Sequence, residues 1–405
     1  QHPSTFVQAD PVDVYKLIEE DLLYACDILP YAKDDTYRSS NNYRFSKGAA
    51  LGLLAKVYAT WAGYPIQDTS KWEAAAKTAR ILVESGKHDL LNDYEQLWKN
   101  TCNGIWDPTE SLIEISFYSP TYSGNSDPVG RIGKWNGVKT TVDAGRSGST
   151  AANVQVVHSF VLDWREEAKP DETTGISPDR RQNLSIANYK HGHNDSKTGA
   201  VYLDDYYLAA SIPNDNAATA LSKDLDPEKS QKAKQTYTPA KWDIDKYMES
   251  IPFINNDKST VNWYVLRYAD VLLLYAEALN EWKGGPTTEA YAAINKVRKR
   301  GYTKADGTIN KDYSLKEGLD QTAFREAVHK ERAYELAFEG HRRLDLVRWG
   351  VYYETVQNTY NALKNWWSSA NYVVYDYTEK GKHELMPIPQ REMDLCTQFE
   401  QNPGW

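Results

Sequence analysis

Apolar positions recur at helical spacing over both ends of this 405-residue chain and lose that period in its middle. Near the start, Asp10-Pro11 opens a helix with proline in its first turn, and the pattern runs to Leu29 before Pro30 stops it. Its predicted core stripe is Val14, Leu17, Ile18, Leu22 and Ala25. A second helix is predicted over residues 46–62, closed by Gly63 and Pro65. A third runs from the cap cluster Asp68, Thr69 and Ser70 to Gly86, and the pair makes a helical hairpin. The last third repeats the arrangement. Val265, Ala269, Leu272, Leu273 and Ala276 form one helix face, Lys283-Gly284-Gly285-Pro286 breaks it, and Thr287 or Thr288 caps a helix reaching Gly301. Small inner residues, among them Ala55, Ala59, Ala75 and Ala76, then Ala276, Ala278, Ala292 and Ala293, permit the close helix approach of tetratricopeptide-type pairs.

Between these hairpins the texture changes. Residues 100–150 are dense in Gly, Ser, Asn, Pro and aromatics, and residues 191–261 are polar, with proline at 213, 227, 239 and 252. Structureless stretches this long inside a compact protein are functional or disordered. Their aromatic residues, including Trp106, Trp135, Tyr202, Tyr237 and Trp242, favour order. The expectation is a mainly α fold in a single domain over 1–405. A helical-hairpin scaffold covers about 10–99 and 264–405, and a loop-rich insert of about 100–263 forms a ligand-binding face.

The most informative segment is residues 330–350, KERAYELAFEGHRRLDLVRWG. Read as a helix from Gln321 and ended by Gly340, it carries Phe324, Val328 and Leu336 on one side and Glu331, Glu335 and Glu339 as an acidic stripe. His341, Arg342, Arg343 and Arg348 follow at once. Three carboxylates on a partly buried helix need cations close by, and guanidinium satisfies a carboxylate with two parallel hydrogen bonds. An internal Glu–Arg network is predicted, with Arg342 and Arg348 among its cations. A metal or acid/base site from Glu335, Glu339 and His341 is the alternative, but it needs a second helix with matching Glu-x-x-His ligands, and the sequence has none.

Composition narrows the partners. A net charge of −9, a pI near 5.5 and no basic run longer than Arg298-Lys299-Arg300 argue against nucleic acid and anionic membrane surfaces. The longest apolar stretch, around 271–279, is interrupted by Glu277 and is shorter than the ~18 residues of a bilayer span. Cys26, Cys102 and Cys396 are widely spaced and read as buried thiols, not as a disulfide framework or a zinc site. No GxSxG, P-loop, HExxH or GxGxxG frame is present, and no cofactor is expected. Asp204-Asp205 is a poor glycosidase pair, because adjacent extended residues point to opposite faces. His191 and His193 with Asp195 could hold a divalent metal but lack a fourth ligand. The chain is therefore read as a non-enzyme.

The block ERAYELAFEGHRRLDLVRW (331–349), preceded by LRYADVLLLYAEALN (266–280) and followed by MPIP (386–389) and QNPGW (401–405), resembles the SusD/RagB family of Bacteroidetes surface lipoproteins. Residues 178–181, PDRR, look like the family's Asp-Pro-Arg region. The resemblance implies a tetratricopeptide-like scaffold with an irregular ligand-binding face and a non-catalytic role. That role is capture of glycans at the outer surface and their delivery to a SusC-like TonB-dependent outer-membrane transporter. It also implies membrane attachment only through a lipid anchor on an N-terminal cysteine, together with a first helical hairpin, and neither precedes Asp10 in this sequence. A peptide-binding, RagB-like role on the same scaffold is the alternative.

Sugar recognition pairs exposed aromatic rings with nearby Asn, Asp, Arg or Gln. The segment FYSPTYSGNSD (117–127), with Arg131 and Trp135 beyond it, has that mixture, so Tyr118, Tyr122, Asn125, Arg131 and Trp135 are the first-choice ligand contacts. Tyr206 and Tyr207 are the second choice and Trp366-Trp367 the third.

Overall fold

The computed structural model describes residues 5–36, 43–117, 130–140, 148–171, 176–187, 191–194, 197–202, 237–249, 256–363, 375 and 377–405. Helix α1 (Pro11–Ile28) starts where Asp10 accepts the Val12 N–H at 2.7 Å. Its inward face is Val12, Tyr15, Leu22 and Cys26, whereas Val14, Leu17 and Ile18 of the predicted stripe are exposed. The helix carries two apolar faces, and periodicity alone cannot say which one meets the core. Helix α2 (Lys47–Trp61) begins at the Ser46 cap, and α3 (Lys71–Glu84) begins after a turn in which Asp68, not Ser70, accepts the hydrogen bonds. These two pack along each other as the predicted hairpin.

Next come α4 (Tyr94–Cys102), strand β1 (Ser111–Ile115), α5 (His158–Glu167), α6 (Arg180–Ser185) and β2 (Ile186–Ala187). The hairpin of β3 (His191–Asn194) and β4 (Lys197–Tyr202) is followed by β5 (Thr238–Pro239), which pairs with β2, and by α7 (Ile244–Tyr247). Strand β6 (Trp263–Arg267) pairs antiparallel with β1, Ile113 opposite Leu266 and Ile115 opposite Trp263. Val265 thus lies in a strand and not on the predicted helix face. The run Trp263-Tyr264-Val265 is aromatic and β-branched, and it finds a cross-strand partner.

Helix α8 (Tyr268–Lys283) is the centre of the scaffold, with every residue from Tyr268 to Asn280 buried. It stops at Gly284, whose φ of 71° is the left-handed cap that glycine adopts without strain. Thr287 then caps α9 (Thr288–Gly301) through its hydroxyl, and α10 (Gln321–Glu335) is capped by Asp320. Leu54, Leu82, Leu273, Leu279, Ile294 and Phe324 are core residues where α2, α3, α8, α9 and α10 meet. The chain ends through α11 (Arg342–Arg348), α12 (Tyr352–Leu363) and α13 (Gln390–Leu395). The fold is mainly α, with short strands where the loop-rich segment meets the scaffold.

The Glu stripe is internal, as expected, but its geometry and its cations differ from the prediction. Helix α10 ends at Glu335 and not at Gly340, with Phe338 at φ 68° and Gly340 at φ 83°. This unwound turn swings Glu339 toward Arg267, which grips it with Nε at 2.7 Å and Nη2 at 2.8 Å, and toward Lys241 at 2.6 Å. Glu335 meets Arg300 at 2.5 Å, Arg267 at 3.0 Å and Arg181 at 3.1 Å. Glu331 meets Arg181 at 2.5 Å and Arg298 at 2.8 Å. Asp179 and Glu110 complete the acidic side, on Arg181 and on Arg267 with Arg300. Five carboxylates thus face five cations, and so many buried charges are tolerable only because each is paired. Burial alone would push Glu335 up, but Arg300, Arg267 and Arg181 hold it down at about 2. Gly301 leaves room for this arrangement: a Cβ there would stand 2.3 Å from Arg181 Nε.

The predicted cation Arg348 serves a second cluster. It clamps Glu277 of α8 with bonds of 2.6 and 2.7 Å and reaches Asp345 at 2.9 Å, while Arg332 joins Asp345 to Asp270 and Lys56 takes the other Asp270 oxygen. His341 Nδ1 lies 3.0 Å from Lys56 Nζ, and burial lowers the imidazole pKa, so the neutral ring accepts that bond. Arg342 and Arg343 are exposed and hold no buried carboxylate; Arg342 donates to the His329 carbonyl.

Two expectations follow. Arg267→Ala should leave Glu110, Glu335 and Glu339 short of a cation and cost about 3–5 kcal/mol in chemical denaturation, whereas exposed Arg342→Ala should stay within about 0.5 kcal/mol of wild type. Equal losses in the two variants would contradict the assignment of the network's cations. Acid should also unfold the protein in two stages. Burial pushes His88 and His329 down to about 4, so the stability tied to their neutral forms is complete above about pH 6.5 and is lost as pH falls through about 4. Glu335 contributes fully above about pH 4.5 and loses its contribution toward about pH 2. A denaturation midpoint that stays flat from pH 7 to 3 would contradict this.

Candidate functional site

The turn at 130–137 is pinned to its surroundings by backbone contacts that a side chain would prevent. Ser259 donates its backbone N–H to the Gly130 carbonyl at 2.8 Å, and a Cβ on Gly130 would come 2.8 Å from the Ser259 carbonyl. Gly133, at φ 79°, sits against Ile244 and the Trp242 carbonyl, and its N–H donates to Asn136 at 2.8 Å. Ile132 packs under the turn against an aromatic cluster in which Trp98 meets Trp242 edge-on at 5.9 Å. Trp242 stacks on Trp263 at 5.0 Å.

Lys134 and Trp135 leave this turn in opposite directions. Lys134 is buried, its ammonium turned to the Gly148 and Ser149 carbonyls, and burial pushes its pKa down to about 8. Trp135 points out, with 41% of its surface exposed. Its indole N–H donates to Asp257 at 2.6 Å, the Arg131 guanidinium lies 4.6 Å from its ring centroid, and the same guanidinium meets the second Asp257 oxygen at 3.3 Å. Residues 151–154 run alongside, bonded to the Lys134 and Trp135 carbonyls, with the Asn153 side chain exposed. Exposed Asn256 accepts the Ser149 N–H at 2.9 Å. An aromatic face, a guanidinium and a carboxylate thus share one surface patch.

Arg131 and Trp135 are therefore brought together as the sequence suggested. Tyr118, Tyr122, Asn125, Tyr206, Tyr207, Trp366 and Trp367, with Asp204 and Asp205, lie outside the described residues. Asp257, Asn153 and Asn256 were missed, since no local pattern links a loop aspartate to an indole 122 positions away. His191, considered above as a metal ligand, turns inward and bonds buried Asp243 at 2.7 Å. Among the described residues no group of three His, Cys, Asp or Glu side chains is arranged to hold a metal ion.

A sequence model of the SusD family matches residues 109–405. The chain belongs to the SusD family. A SusD homolog from Bacteroides thetaiotaomicron, solved by crystallography, superposes with a TM-score of 0.87 at 67% identity, covering all of this chain and 72% of that one. A laminarin-binding SusD-like protein superposes with a TM-score of 0.62 at 26% identity, covering 98% of this chain and 70% of that one. SusD-like protein P25 of Formosa agariphila is 25% identical over 392 residues, 96% of this chain. The chain spans 63% of the length of P25. The helical-hairpin scaffold expected from the sequence is that of the SusD superfamily.

Proposed function

We propose that this SusD-family chain captures glycans without transforming them, and that the patch around Trp135 is a binding platform. The observation that carries this is a large aromatic ring held at the surface by its edge. A buried anchor would hide its face, whereas Asp257 fixes the indole through its N–H and leaves much of the ring exposed. A sugar stacks its C–H face on such a ring, and Arg131 and Asp257 supply donors and acceptors for its hydroxyls. The laminarin-binding relative supports a glycan as the ligand class. Delivery to a SusC-like TonB-dependent transporter, from a lipid-anchored position on the outer surface of the outer membrane, fits the family. No helix among the described residues is long and apolar enough to cross a membrane.

Trp135→Ala should weaken binding to a glycan found by calorimetric screening by about tenfold or more, with the melting temperature close to that of wild type. A variant that binds as tightly as wild type, or a protein that takes oligopeptides and no oligosaccharide from the same panel, would overturn the platform. Expressed with its native lipidation signal and genomic neighbours, the protein should co-purify with a large outer-membrane β-barrel. A lipidated form that purifies alone would overturn the delivery role.

A further inference from the structure

Resting on the glycan reading above, we infer that Asp257 sets the charge of the Trp135 platform and thereby selects neutral glycans over uronic acid-rich ones. An arginine beside an aromatic platform is, by itself, a hook for sugar carboxylates, because guanidinium matches a carboxylate with two parallel hydrogen bonds. Here that hook is already answered. One Asp257 oxygen takes the indole N–H at 2.6 Å, which aims the other at Arg131 Nη2, 3.3 Å away. The guanidinium is meanwhile held over the ring, 4.6 Å from its centroid.

The three side chains lock one another. The indole orients the carboxylate, the carboxylate neutralises the guanidinium, and the guanidinium covers part of the ring. Arg131 and Asp257 are each about half exposed, at 50% and 47%, so both remain within reach of a ligand. An incoming uronate would have to displace Asp257 from Arg131 or lie beside it, like charge against like charge. A neutral sugar meets no such conflict. Each of its hydroxyls both donates and accepts, and an Arg–Asp pair presents donors next to acceptors, which suits neighbouring hydroxyls on one ring.

The neighbouring Lys134 adds no donor to this surface, being buried and turned into the protein toward the Gly148 and Ser149 carbonyls. At longer range the net charge of −9 disfavours polyanions further.

The test is calorimetry of matched-length neutral β-glucan oligosaccharides and oligogalacturonates. It compares wild type, Asp257→Asn, and Asp257→Asn combined with Arg131→Gln. Asparagine keeps an oxygen for the indole N–H while exposing the charge of Arg131. Asp257→Asn should raise the ratio of uronate to neutral affinity by about tenfold, the gain should shrink with added salt, and Arg131→Gln should remove it. A ratio unchanged in Asp257→Asn, or a wild type that already prefers oligogalacturonate, would overturn selection by charge while leaving the platform in place. A wild type that binds no oligosaccharide of the wider calorimetric panel, these two series included, would overturn the glycan reading itself.

Discussion

The rest of the structure depends on the pairing of Glu331, Glu335 and Glu339 with five cations from four separate places in the chain. Arg181 and Lys241 belong to the loop-rich middle, Arg267 to the strand that leads back to the scaffold, and Arg298 and Arg300 to a scaffold helix. The network is therefore the joint between the helical frame and the segment that carries the candidate site. Apolar residues of similar volume could fill the same space with comparable stability. They would tolerate several arrangements of a long irregular insert, whereas bidentate and convergent ion pairs are satisfied in very few. What the otherwise costly burial of charge adds is a defined orientation.

How much of this the sequence disclosed depends on whether an interaction is local. The first helical hairpin, the Gly284 stop and a threonine cap at 287 or 288 follow from neighbours a few residues apart, and the structure has all three, with Thr287 as the cap. The acidic stripe was also visible, since its spacing lies within one helix. Its cations were assigned to the nearest arginines, and only Arg348 proved to be buried against carboxylates, those of Glu277 and Asp345. The true partners of the stripe are between 33 and 154 positions away, and nothing in their local sequence distinguishes them. Helix α1 failed for another reason. With apolar residues on two faces, the side that packs is decided by what lies next to it.

The site shows the same limit. Arg131 and Trp135 are four residues apart in one turn, so their meeting could be expected, and the composition of that turn marked it as a candidate. Asp257 comes from another loop. Its role exists only because Gly130 and Ser259 bring the two backbones together, and glycine spacing does not announce a tertiary contact.

The joint and the Trp135 patch are connected by a short, well-packed path. Lys241 bonds Glu339 in the network and sets its ammonium 4.6 Å from the ring centroid of Trp98. Its neighbour Trp242 stacks on Trp263 and offers the carbonyl against which Gly133 closes, two residues before Trp135. Sugar affinities are weak, so ordering a mobile contact at the moment of binding would consume much of the available free energy. On the function proposed above, a platform tied through residues 241–244 to a buried ionic network is ordered in advance. Under the proposed binding role, that advance ordering is what so demanding an arrangement of charge in the interior contributes.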